Sequence, residues 1–141
     1  MGYLGVLRPA SGTIASAAAL LICVLCEGDA VVLTGIAVLT LVVGLVIAAP
    51  ARTAFDSKDP GEFVLDEWCG MTVSVLFVPM SVWTYGAAFF IFRALDVWKP
   101  LGIGRLDRME HPSGIMLDDV AAGLCANVFL QILVQLFPAV A

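Results

Sequence analysis

Apolar residues run along this chain in long blocks, and the polar residues gather where the blocks end. Crossing the hydrocarbon core of a bilayer as a helix takes about 20 apolar residues, with a range of about 17–25. Four stretches reach or approach that length: 13–26, which can extend back through 9–12; 30–49, which carries no charge; 63–79; and 115–137. A fifth apolar stretch covers 81–98. Glu27-Gly28-Asp29 predicts a tight turn between the first two, and Pro79 breaks the helix between 63–79 and 81–98. The segments at 51–61 and 100–114 are longer, polar and rich in glycine, proline and charge. The pattern predicts an all-α fold: a polytopic integral membrane bundle of four to five helical segments. A single domain is expected over residues 1–141.

Composition agrees. Hydrophobic residues make up 61% of the chain and charged residues 13%, against about 45–50% and about 25% in soluble domains. Mean hydropathy is +1.02. A separate soluble catalytic domain has no room in 141 residues, so any chemistry falls to helix ends and the loops between them. Residues 1–7 carry no charged side chain and no convincing cleavage site follows, so a signal peptide is not expected. Cys23 and Cys26 form a C-x-x-C, but no second pair or histidine cluster accompanies them. They are read, with Cys69 and Cys125, as packing residues.

Alternating the direction of each segment places the 51–61 and 100–114 loops on one face, with Arg8 and the ends bearing Asp66-Glu67, Arg93-Asp96 and Asp118-Asp119. All seven basic residues, Arg8, Arg52, Lys58, Arg93, Lys99, Arg105 and Arg108, then share that face. The positive-inside rule makes it cytoplasmic. Small residues crowd the first segment (Ser11, Gly12, Thr13, then Ala15 to Ala19) and suit close helix approach. Thr13, at the mouth of that face, is a candidate phosphate ligand.

The chemistry is carried by five acids in or beside apolar stretches: Asp66, Glu67, Asp96, Asp118 and Asp119. A buried ionised carboxylate is costly unless it is paired or bound to a cation, which makes such acids functional-site candidates. N-terminal capping accounts for one acid per helix. It does not account for both members of two pairs, nor for Asp96 at a helix C-terminal end. Converging oxygen ligands suit Mg²⁺ better than zinc, because His111 is the chain's one histidine. Arg93, Asp96 and Lys99 recur every third residue and share one side of a helix. Bases beside metal-binding acids are what phosphoryl chemistry uses.

Three blocks resemble the phosphatidylglycerophosphatase A family of magnesium-dependent bacterial membrane lipid phosphatases. They are Asp59-Pro60-Gly61-Glu62-Phe63-Val64-Leu65-Asp66-Glu67-Trp68-Cys69-Gly70, Phe92-Arg93-Ala94-Leu95-Asp96-Val97-Trp98-Lys99-Pro100, and Gly114-Ile115-Met116-Leu117-Asp118-Asp119-Val120-Ala121-Ala122-Gly123. A weaker fourth is Ser11-Gly12-Thr13 with Ala15-Ser16. His111-Pro112 stands where the family commonly has two glycines, Ser11 where it has proline, and Leu95 where it has phenylalanine. No charged motif residue is lost.

The resemblance implies removal of the terminal phosphate from phosphatidylglycerophosphate, leaving phosphatidylglycerol, at the cytoplasmic surface of a bacterial inner membrane. It implies a metal site from Asp66, Glu67, Asp118 and Asp119, with Asp96 as a further ligand or general base. Thr13, Arg93, Lys99 and Arg108 would bind substrate phosphate. The nucleophile is a metal-bound water or a carboxylate. The lipid substrate and the bilayer are the expected partners, a homo-oligomer is compatible with so few spans, and nucleic acid is not expected. The signatures of membrane alcohol phosphotransferases and of histidine-based lipid phosphatases are absent. An acidic-site cation transporter is the non-enzyme alternative, but it would want its acids near the midplane.

Overall fold

A computed structural model describes the backbone of residues 3–54, 65–98 and 114–141, and the side chains of 12–46, 65–98 and 116–141. Five helices occupy the described residues, with no strand: α1 Tyr3–Leu25, α2 Ala30–Ala54, α3 Leu65–Val75, α4 Val82–Trp98 and α5 Gly114–Leu136. A 3₁₀ turn at Pro138–Val140 follows. The all-α expectation and the five segments hold. The α1–α2 turn is tight because Glu27 and Gly28 take left-handed φ values of 54° and 68°. Asp29 then caps α2, its Oδ1 accepting from the amides of Val31 at 2.8 Å and Val32 at 3.1 Å.

The third segment departs from expectation. A full span over 63–79 was expected, whereas α3 has 11 residues and a length of about 16 Å, against about 30 Å for a bilayer core. The chain leaves the helix through Phe77, whose φ is 58°, two residues before the expected break at Pro79. An end this early leaves carbonyls without helical partners. Asn127, buried on α5, supplies them: its Nδ2 donates to the carbonyls of Val73 at 3.1 Å, Ser74 at 3.2 Å and Leu76 at 2.6 Å. Gln131, one turn on, donates to Asn127 Oδ1 at 2.7 Å and holds the amide in place.

α3 is the centre of the bundle. Its residues from Cys69 to Val75 are all buried, and it touches α1, α2, α4 and α5, with α5 the most extensive partner. The α3–α5 contact is backbone on backbone. A Cβ on Gly123 would collide with the carbonyl oxygen of Gly70, and a Cβ on Gly70 would lie 2.6 Å from the Asp119 carbonyl oxygen and 2.7 Å from the Phe92 ring. At the opposite end, Gly28 lies against Tyr85 and Met80. There the Ser81 and Thr84 side chains cap each other's amides at 3.1 and 3.0 Å. Ser81 Oγ also donates to the Val140 carbonyl at 2.8 Å, tying down the terminal turn.

Large apolar side chains cover the outside: Ile14, Leu21 and Leu25 on α1, Val31, Leu39 and Val46 on α2, and Leu124, Val128 and Ile132 on α5 are exposed. Among the described residues one helical stretch, Met116–Leu136, is long and apolar enough to cross a membrane; Gly12–Leu25 and Ala30–Val46 are apolar but shorter. Cys23 packs in the core with its Sγ 4.0 Å from Thr72 Oγ1, and all four cysteines are free thiols, as the packing reading expects.

Two outcomes follow for thermal unfolding in detergent. Gly123→Ala lowers stability by about 1–3 kcal/mol through overpacking, whereas Gly35→Ala, whose Cβ would meet nothing within 4 Å, leaves it unchanged or raises it. Equal effects would show that the crossing is not tight. Asn127→Leu costs about 1–3 kcal/mol by stranding buried carbonyls, more than Gln131→Leu.

Candidate functional site

The glycine crossing sets the register of the acids. Asp66 lies four residues before Gly70, and Asp119 four before Gly123. One turn beyond the point of closest approach, both helices therefore carry a carboxylate at the same end of the bundle. The local geometry repeats as well. Asp66 Oδ1 accepts from the Glu67 amide at 2.8 Å, and Asp118 Oδ1 from the Asp119 amide at 2.9 Å. In each pair the first acid turns back on the backbone and its successor turns elsewhere. Capping fits only the first pair: Asp66 and Glu67 lie in the first turn of α3, but α5 starts at Gly114 and has no acid in its first turn.

Asp119 is the centre of the cluster. It is buried, as are Asp66 and Asp118. Its carboxyl faces the charges of Asp66, Asp96 and Asp118. Asp96 is held on its other side by Arg93, whose Nη1 donates to Asp96 Oδ2 at 2.6 Å across one turn of α4. The same Nη1 stands 3.6 Å from Glu67 Oε1. Arg93 thus bridges α3 to α4, with little of its side chain exposed.

α1 closes the site through a missing side chain. A Cβ on Gly12 would collide with Glu67 Oε1 and come within 3.0 Å of Arg93 Nη2. Glu67 and Arg93 occupy the space that any other residue would fill. Thr13 follows at the rim and is exposed. The structure therefore brings together Asp66, Glu67, Arg93, Asp96, Asp118 and Asp119, with Thr13 at the edge. Lys99 and Arg108 lie outside the described residues, as do Arg105, His111 and the 55–64 and 99–113 segments.

Within the acids expected to hold metal, Glu67 stands apart: it pairs with Arg93, while Asp96 takes the place beside Asp119. No group of three His, Cys, Asp or Glu side chains among the described residues has metal-binding geometry as it stands. The donor chemistry nevertheless fits a hard cation. The acids around Asp119 present only oxygen, and among described side chains Arg93 is the one base facing them. Sequence reasoning missed Gly12, Gly70 and Gly123 as site-shaping residues, and Asn127 and Gln131 altogether. A glycine four residues after Asp66 and again after Asp119 was the available signal.

Residues 1–134 match the family described as PgpA, phosphatidylglycerophosphatase A. The chain belongs to the phosphatidylglycerophosphatase A family. A phosphatidylglycerophosphatase A from Escherichia coli K12 is 33% identical over 105 residues, covering 73% of this chain and 61% of that protein. One from Haemophilus influenzae Rd is 30% identical over 132 residues, covering 88% of this chain and 78% of that protein. The chain thus spans under two thirds of the Escherichia coli relative's length. No solved structure matches. Both acid pairs and the Arg93–Asp96 block fall within the span matched to the phosphatidylglycerophosphatase A family.

Because Arg93 separates two acids, its removal leaves Asp96 and Glu67 uncompensated. Arg93→Met is expected to cost toward the lower end of the about 3–5 kcal/mol of a broken buried pair. Adding Asp96→Asn should recover part of that loss in thermal unfolding. A double variant no more stable than the single one would show that Arg93 does not neutralise Asp96.

Proposed function

We propose that this protein removes the terminal phosphate of phosphatidylglycerophosphate, yielding phosphatidylglycerol and inorganic phosphate. The observation that carries the reading is the convergence of three buried aspartates, Asp66, Asp118 and Asp119, with Asp96 and Arg93 at one end of an apolar-surfaced bundle. Family membership and relatives named for this activity supply the substrate. The place of action is the cytoplasmic surface of a bacterial inner membrane, which the chain crosses more than once. The exposed apolar outer faces of α1, α2 and α5 support that placement, as does the basic charge carried by the loops beside the acids.

Asp66, Asp118 and Asp119 would hold Mg²⁺, with Glu67 completing the set on release from Arg93. When bound, the ion would polarise the phosphoryl group and favour the deprotonated form of a coordinated water. The protein's own part is positional and protic. The Arg93 guanidinium faces the phosphate oxygens and holds them as a fork, with Lys99 and Arg108 adding charge and Thr13 a hydroxyl at the rim. The N-terminus of α3 adds a positive dipole end. Asp96, oriented by Arg93 and facing Asp119, is placed to accept a proton from the attacking water or to return one to the leaving oxygen.

The reading is tested with purified protein in detergent, phosphatidylglycerophosphate and Mg²⁺. Phosphate release is expected, abolished by chelation and restored by Mg²⁺. Asp66→Asn and Asp119→Asn should each lower kcat by about 10²–10⁴-fold, and Asp96→Asn by a similar factor. No release from the unaltered protein, or release undiminished in the Asp66 and Asp119 variants, would refute the proposal.

A further inference from the structure

Beside the acid cluster, α4 and α5 leave an open cavity of about 410 Å³, lined by Ile91, Ala94, Leu95, Trp98, Cys125 and Phe129. Every lining residue is apolar or a thiol. The cavity follows one helical side of α4, since Ile91, Ala94 or Leu95, and Trp98 recur at three- to four-residue steps. Ala94 and Leu95 lie between Arg93 and Asp96 in the chain. Successive helical residues are about 100° apart, so a single turn of α4 presents charge to the acid cluster and apolar surface to the groove. Ile91, Leu95 and Cys125 also pack on the central core, which makes the groove an inlet of the bundle rather than a loose surface depression.

We propose that this groove seats an acyl chain of the phospholipid substrate. The inference rests on the phosphatase reading and adds the site that grips the lipid's tail. A phosphate held by Arg93 brings the glycerol backbone to the last turn of α4, and the chains esterified to it must leave along an apolar surface starting there. The α4–α5 groove takes in Ala94 and Leu95 at that turn and is flanked by the exposed Trp98 and Phe129. Its volume lies within the about 300–1,000 Å³ of small-molecule sites. Holding one chain fixes the phosphate relative to Asp96 and selects substrates carrying long chains over the free headgroup.

Two measurements test this. The first compares kcat/KM for dioleoyl and dihexanoyl phosphatidylglycerophosphate, both below their micellar limits or at fixed detergent ratio. Ala94→Phe, which fills the groove, is expected to cut the long-to-short preference by about tenfold. An unchanged ratio overturns the proposal. The second needs no turnover: N-ethylmaleimide labelling of the unaltered protein, read residue by residue by peptide mapping. Dioleoyl phosphatidylglycerol should slow labelling of Cys125 severalfold and dihexanoyl phosphatidylglycerol should not, while Cys26, on the α1–α2 turn, responds to neither. Equal responses at Cys125 and Cys26 overturn the groove. Protection that follows protein concentration and not lipid assigns the groove to a second copy of the chain and overturns it as well. If the unaltered protein releases no phosphate from either lipid, the phosphatase reading fails on its own and Cys125 protection decides the groove.

Discussion

The approach of α3 to α5, glycine against glycine, is the constraint on which the rest depends. With a side chain on Gly70 or Gly123 the helices would part, and the separation would pass to every group one turn away. Asp66 and Asp119 are those groups. Close backbone approach between apolar helices is favoured by dispersion and costs no side-chain entropy. It has a further effect: it carries two carboxylates toward each other that would otherwise stay well apart. The packing energy of the bundle offsets the charge repulsion of the site.

The charges are arranged around that enforced proximity. Asp119 faces Asp96, Asp96 is held by Arg93, and Arg93 extends to Glu67. Three helices are joined by that series, and α1 contributes only the absence of a side chain at Gly12. Such a network has little slack, because the Arg93–Asp96 pair of α4 is tied to α3 on one side and faces α5 on the other. It holds more negative than positive charge among the described side chains, the electrostatic condition under which a divalent cation or a bound proton is stabilising.

Much of this was legible in the residues. Block lengths and the Glu27-Gly28-Asp29 and Pro79 breaks located five helices, and alternating their direction put Asp66, Asp96 and Asp119 at one end. The early end of α3 was not legible. Leu76-Phe77-Val78 is an unbroken apolar run, and nothing local stops a helix there. The stop is made by Asn127, more than 50 residues away, which satisfies the carbonyls that the break exposes. An amide at Asn127 followed by another at Gln131 in an otherwise apolar helix is the trace this leaves in the sequence. Glu67's turn toward Arg93 was hidden for a related reason: its direction is set by space at Gly12, on a helix distant in sequence.

The short central helix also has a place in the order of synthesis. Eleven residues are too few to hold a helix unaided, since isolated helices below about 12–15 residues are marginal. α3 depends on α5 at its midpoint, through the Gly70–Gly123 contact, and at its C-terminal end, through Asn127. Yet α3 leaves the ribosome before its stabilising partner α5, which lies about 40 residues further along the chain. Until α5 arrives, the Asp66-Glu67 pair has no fixed address. The site is therefore completed only once α5 has been made, and a chain truncated before Asn127 would carry all five site acids without the framework that gathers them.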